Sequence, residues 1–94
     1  MAKIERFEDL QSWQKGRQLA NQIYDLMTHT SFSKDFRLRD QINDAAGSVM
    51  HNIAEGFDAG SNLEFIRFLK MSGRSASEVQ PELYLALDRK YISK

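Results

Sequence analysis

The two histidines are the residues of this chain best suited to bind a metal ion. Helical bundles hold pairs of iron ions with Glu-x-x-His motifs, but Leu26 stands three residues before His29 and Ser48 stands three residues before His51. His51 and Glu55 lie four residues apart and share a helical face, which supplies at most half of a metal site. The pattern therefore predicts no metal and no cofactor, and it favours a surface or interfacial role for His51.

Asn52 is a polar residue on the apolar line of a predicted helix. That line comprises Leu38, Ile42, Ala45, Val49, Asn52 and Gly56. An inward Asn needs hydrogen-bond partners when it is buried, and it can fix helix register or oligomer state. No His, Cys or Lys lies within one turn on the same side as a catalytic partner. We therefore interpret Asn52 as a packing residue, and we predict no catalytic residue and no small-molecule substrate.

Three basic residues form a short row on one face of the last predicted helix. Arg67, Lys70 and Arg74 are spaced three and four positions apart, and such a row can contact phosphates. The alternative is a solvated face or ion pairs between subunits, and it is favoured because 13 basic residues balance 13 acidic ones. RNA binding through this basic row is therefore kept as a hypothesis of weak, sequence-independent contact.

Three predicted helices position all of these residues. Apolar residues recur every three or four positions over about residues 7–28, 38–56 and 61–90. No stretch shows the alternation of a strand, and no repeat or low-complexity tract divides the chain. The pattern predicts an all-α, up-down antiparallel helical bundle that forms a single domain over residues 1–94.

Local residue choices predict where the second and third helices begin and end. Gly56 suits the left-handed position that follows a helix, and Phe57 would then make the apolar contact of a Schellman motif. Ser61 and Glu64 fit a capping box at the start of the third helix. Pro81 lies inside that helix, where it removes a backbone hydrogen bond, so we expect a bend there or, as the alternative, a break into two helices.

The third helix carries more apolar surface than one packing face needs. Its main seam comprises Ile66, Leu69, Gly73, Ala76, Val79, Leu83, Ala86 and Leu87. A second set, largely off this seam, comprises Phe65, Phe68, Tyr84, Leu85 and Tyr91. A helix that is apolar on two faces is buried on two faces. The second set therefore predicts contact with another part of the chain or with another subunit.

Composition and length limit the remaining function classes. Hydrophobic residues make up 41% and charged residues 28% of the 94 residues, and Cys is absent. The lack of Cys excludes disulfides, thiolate catalysis and zinc sites built on sulfur. Neither a signal peptide nor a membrane span is evident, so we expect a soluble cytoplasmic protein. A chain this short buries only about 60 to 65 percent of its unfolded surface, and a partner would add to its stability.

Three segments of the chain carry a similarity to a known family: FEDLQSWQKGRQLANQIYDL, LRDQINDAAGSVMHNIAEGF and FIRFLKMSGRSASEVQPELYLALDRKYIS. Together they resemble the small four-helix-bundle proteins known as 23S rRNA intervening sequence proteins. The most specific part of the resemblance comprises Ser48, Asn52, Ile53, Ala54, Glu55 and Gly56. The resemblance implies a packing or assembly role for these six residues, ring-like homopentamers as the first choice of assembly, and no enzymatic activity.

The resemblance also leads to two expectations about the chain and its partners. Family members continue into a fourth helix, so three long helices with the fourth missing are expected before Lys94. The leading interpretation is a non-enzymatic bundle protein that self-assembles, with RNA or a ribonucleoprotein as the suspected partner. The alternative is a nucleic-acid accessory protein that binds RNA and a reverse transcriptase, as a related branch of the family does.

Overall fold

The computed structural model describes residues 4–93 and contains three α-helices. These are α1 at Gln11–Thr28, α2 at Phe36–Asp58 and α3 at Asn62–Asp88, with 3₁₀ turns at Phe7–Asp9 and Ser31–Lys34. No strand occurs among the residues that the structure describes. The all-α class that the helical periodicity predicts is therefore confirmed, with three helices in this chain.

The middle helix, α2, organises the bundle. It packs against α1 on one side and against α3 on the other, whereas α1 and α3 approach each other at few points. Gly16 of α1 lies against Met50 late in α2, while Met27 at the end of α1 shares a core with Leu38 near the start of α2. These pairings show that α1 and α2 run antiparallel. A link of three residues cannot span a helix, so α2 and α3 are antiparallel as well.

The core lies where α1, α2 and the connector between them meet the C-terminal half of α3. Its buried residues are Ile23, Met27, Phe32, Leu38, Ile42, Ala45, Ala46, Val79 and Ala86. Phe32 belongs to the connector and has no exposed surface, so one side chain fixes this segment to the bundle. Phe36, only four residues later, is 65% exposed. The two aromatic residues around the start of α2 thus occupy opposite environments.

Two helix starts differ by a few residues from the predicted ones. The segment before α1 forms a separate 3₁₀ turn, and Leu10 is extended (φ −74, ψ 128), so α1 starts at Gln11 and not near residue 7. The helix α2 starts at Phe36, two residues earlier than expected, because the Asp35 carboxylate accepts a hydrogen bond of 3.3 Å from the backbone N–H of Leu38. An Asp at this position satisfies one of the helix's unpaired donors.

The predicted C′ role of Gly56 is wrong, because α2 continues to Asp58. The glycine in the left-handed region is Gly60, with φ of +84°. The Ser61 cap is present: its hydroxyl accepts a 3.2 Å hydrogen bond from the Glu64 backbone N–H. Helix α3 also continues through Pro81 without a break. Proline has no N–H to donate to the backbone carbonyl one turn before it. Because Pro81 is exposed, water can donate to that carbonyl instead.

The Asp35 carboxylate also holds the end of the chain. It accepts hydrogen bonds from the Arg89 guanidinium (2.8 Å) and from the Tyr91 hydroxyl (3.0 Å). The backbone N–H of Leu38 first, and the Tyr91 hydroxyl second, lower the pKa of Asp35. The same contact raises the pKa of Tyr91, since its hydroxyl donates to a carboxylate. One side chain thus joins the first turn of α2 to the segment after α3.

Candidate functional site

The motif residues on α2 lie mainly against α3. Ile53 is 3% exposed, and Gly56 is buried under two phenylalanines of α3. A Cβ atom on Gly56 would lie 2.6 Å from the Cβ of Phe68 and 3.1 Å from the Cδ1 of Phe65. Real Cβ atoms do not approach so closely, so only glycine fits here. This end of the motif therefore brings the two helices into close contact.

The polar residues of the motif do not form a reactive group. The Asn52 side-chain amide donates to the Ser48 backbone carbonyl within the same helix (2.9 Å), and both residues are half-buried. Glu55 is exposed and pairs with His51 across one turn, with 2.9 Å between Oε1 and Nε2. Ala54 is half-buried beside them. This hydrogen bond stays within α2. Among the described residues, it therefore does not connect Asn52 to a neighbouring helix or fix the register between two helices.

A cross-helix hydrogen bond connects α2 and α3 in the middle of their contact. The buried Ser72 hydroxyl donates to the Val49 backbone carbonyl at a distance of 2.8 Å. The signal in the sequence for this role is its location between Phe68 and Val79, four and seven positions away on one helical face. Ser72 therefore adds directional specificity to an interface that is otherwise apolar.

The basic row lies on an exposed face of α3. The structure brings Arg67, Lys70 and Arg74 together, and all three are exposed. Arg67 is 3.5 Å from the Glu64 carboxylate, whereas Lys70 and Arg74 pair with no acidic residue among residues 4–93. Surface charges at this spacing create a local positive potential, although the whole chain is neutral.

A carboxylate cluster lies on the other edge of α3, in a shallow groove that faces α2. Asp44, Glu78 and Glu82 line this groove together with Ser48 and Ser75. The Oε2 atom of Glu82 is buried and has no hydrogen-bond partner. Burial first, and the nearby Glu78 carboxylate second, raise the pKa of Glu82. The described residues contain no group of three or more His, Asp or Glu arranged to hold a metal ion.

The buried face of α3 differs from the predicted seam. Phe65 and Phe68 turn toward α2, whereas Ile66 is 51% exposed and Leu69 is 37% exposed. The prediction was wrong at these positions because Gly56 leaves room for the larger aromatic rings. Tyr91 is also half-buried, 5.9 Å from the ring of Phe32. Of the second apolar set, only Tyr84 and Leu85 remain exposed.

A row of residues along α3 is exposed over its first part. It is called the α3 stripe and comprises Ile66, Leu69, Gly73, Ala76 and Gln80, which are exposed, followed by Leu83 and Leu87, which are half-buried. The spacing is that of a heptad seam, three and four residues in turn. Leu83 packs against the core, and with Leu87 it borders an apolar groove between α1 and α3, where Leu26, Tyr84 and Ile92 are the other large side chains. This groove lies where α1 and α3 approach each other at few points.

Within the described range, none of the helices is long and apolar enough to cross a membrane.

No curated protein and no solved structure shows a significant match to the chain. The model of one protein family, described as 23S rRNA-intervening sequence protein, does match, and the match covers residues 8–94. That range includes the α2 motif, the glycine contact with α3 and the whole α3 stripe. Because the match extends over nearly all 94 residues, the chain belongs to the 23S rRNA-intervening sequence protein family.

Proposed function

We propose that this protein is a non-enzymatic helical-bundle protein that self-assembles into a homo-oligomer. The observation that supports this most directly is the first part of the α3 stripe, where Ile66 and Leu69 are exposed large apolar side chains in a heptad row. Leu63, 77% exposed, and Tyr84, 57% exposed, lie on the same helix and add to it. An apolar surface of this kind favours association, since covering a large side chain is worth about 1.5 to 3 kcal/mol.

Size-exclusion chromatography with light scattering at micromolar concentration tests self-assembly. We expect a particle mass that is a multiple of the 10.9 kDa chain, and five copies is the number that the family resemblance favours. An Ile66→Gln/Leu69→Gln variant, which changes only exposed positions, should lower that mass or raise the dissociation constant at least about tenfold. A monodisperse monomer for the unchanged protein would contradict the proposal.

The second candidate function is RNA contact through the basic row. Its support is that Lys70 and Arg74 are exposed and unpaired within the described residues, beside Arg67. Such contact depends on phosphate charge alone, so it should be weak and largely independent of sequence. In an oligomer the row is repeated on each copy, and several copies on one RNA raise the apparent affinity.

The salt dependence of binding to a fluorescent RNA tests the basic row. Affinity should fall about tenfold or more between about 50 and 200 mM salt, because a few phosphate contacts release counterions. An Arg67→Ala/Lys70→Ala/Arg74→Ala variant should flatten this slope. Lys15→Ala combined with Lys90→Ala removes exposed cations elsewhere and serves as the control. Tight binding that ignores salt would refute the electrostatic account.

A further inference from the structure

Two exposed aromatic side chains lie near each other in the fold, where α1 ends and α2 begins. Tyr24 of α1 is 58% exposed and Phe36 of α2 is 65% exposed. Neither ring contributes to the core, which Phe32 fills at this end of the bundle. Exposed aromatic rings supply flat faces on which the bases of single-stranded nucleic acids stack.

An arginine contacts one of these rings and lines a groove with the other. The Arg39 guanidinium lies 4.8 Å from the centre of the Phe36 ring, and it also lines a small groove with Tyr24. Its Nε donates to the Asp40 carboxylate (3.1 Å), and its Nη1 donates to the Ser33 carbonyl (3.4 Å). Arg39 is therefore held in place over one face of Phe36. The large exposure of Phe36 leaves other ring surface open to a ligand.

The groove next to Arg39 has both polar and apolar lining. Tyr24, Met27, Thr28, Ser33, Asp40 and Asn43 line it with Arg39. Hydroxyl and amide groups of this kind can donate to and accept from the edge of an unpaired base. A double helix would not present the Watson–Crick edges of its bases to such a groove, because pairing occupies them. The groove therefore fits a splayed base better than a duplex.

The charge around Phe36 favours a phosphate backbone. Lys34, Arg37 and Arg39 all lie within three residues of it, and Lys34 and Arg37 are exposed. Two carboxylates lie in the same stretch. Asp35 pairs with Arg89 and Asp40 pairs with Arg39, so Lys34 and Arg37 are the cations of this stretch that remain available to phosphate. Cations interleaved with aromatic rings are the combination by which single strands are bound without base-specific readout.

We propose that the surface formed by Tyr24, Phe36, Arg39 and Asn43, called the aromatic platform, binds single-stranded nucleic acid. Bases stack on the two rings, Lys34 and Arg37 contact phosphates, and Asn43 contacts a base edge. The proposal extends the second candidate function to a surface of different chemistry, formed by α1 and α2 and not by α3. It requires neither the basic row nor a particular number of subunits.

Binding of fluorescent 12-nucleotide RNA and DNA single strands, and of the matching duplexes, tests the aromatic platform. Single strands should bind at least about tenfold more tightly than duplexes, and Tyr24→Ala/Phe36→Ala should weaken single-strand binding by about tenfold or more while changing the salt slope little. Tyr24→Phe combined with Phe36→Tyr keeps both aromatic faces at these exposed positions and is the matched control. The DNA and RNA arms show whether the 2′-hydroxyl contributes.

Four results would overturn the proposal: equal binding of duplex and single strand, an equal loss from Tyr24→Phe/Phe36→Tyr, no loss from the double alanine variant, or a lower particle mass in that alanine variant. The last result would identify the two rings as part of a contact between subunits. Because the Ile66→Gln/Leu69→Gln variant tests self-assembly and the triple alanine variant tests the basic row, each failure can be assigned to its own surface. A retained melting temperature in the double alanine variant confirms that it folds.

Discussion

A Phe32→Ala variant is expected to lose about 3 to 5 kcal/mol of unfolding free energy. Phe32 has no exposed surface, and it belongs to the core cluster formed with α1, α2 and α3. Small domains have about 5 to 15 kcal/mol in total, so this one change removes a large part of the stability. Urea denaturation followed by circular dichroism measures it.

Phe36→Ala is the matched control for Phe32→Ala. This variant truncates a second phenylalanine, four residues after the first. The Phe36 ring is 65% exposed and lies against the Arg39 guanidinium. The loss should be about 1 kcal/mol or less, the size of a cation–π contact near the surface. If the two variants were equally destabilised, the placement of Phe32 in the core would be wrong.

Gly56→Ala is expected to destabilise the protein by about 1 to 3 kcal/mol, even though alanine is the better helix former. Alanine gains about 1 kcal/mol in helix propensity. Its methyl group, however, would lie 2.6 Å from the Cβ of Phe68, which is rigidly attached to the α3 backbone. The clash therefore outweighs the gain, and α3 must move away from α2. The movement can be measured by thermal unfolding and by the rate of hydrogen exchange at Ser72.

Gly47→Ala provides the control in the same helix. No atom lies within 4 Å of a Cβ atom added at Gly47, so the change should stabilise the protein by about 0.5 to 1 kcal/mol. Substitution by alanine is thus expected to lower the unfolding free energy at Gly56 and to raise it at Gly47. Stabilisation by both substitutions would show that α2 and α3 are less close than the contact at Gly56 requires.

The helices themselves were predictable because their causes are local. The apolar periodicity located all three, and Ser61 marked the start of α3 through the hydrogen bond that its hydroxyl accepts. Helix ends were less predictable. Gly56 has the residue type of a helix terminator, but its position is decided by contact with Phe65 and Phe68, which are close only in the folded chain. Tertiary packing overrode the local preference of glycine.

The candidate surfaces were predictable only in part. The basic row follows from helical spacing alone, and the structure places Arg67, Lys70 and Arg74 together on an exposed face. The orientation of α3 could not be predicted, since Ile66 and Phe65 are equally suited to a core and differ by one position. Tyr24 likewise fits the apolar face of α1, and only the packing of α2 leaves it exposed. Homo-oligomer formation, the five-membered ring and RNA contact stay predictions.

The three bonds to Asp35 have a consequence for how the native protein opens. Its carboxylate connects the first turn of α2 to Arg89 and Tyr91, which are more than fifty positions away along the chain. Fraying of that turn and detachment of the C-terminal segment are therefore one cooperative event. Because the pKa of Asp35 is lowered in the folded state, its contribution to stability is present above the ordinary pKa of an aspartate and is lost as the pH falls through the lower folded pKa. Acid therefore promotes this local opening, and it detaches the residues next to the groove between α1 and α3.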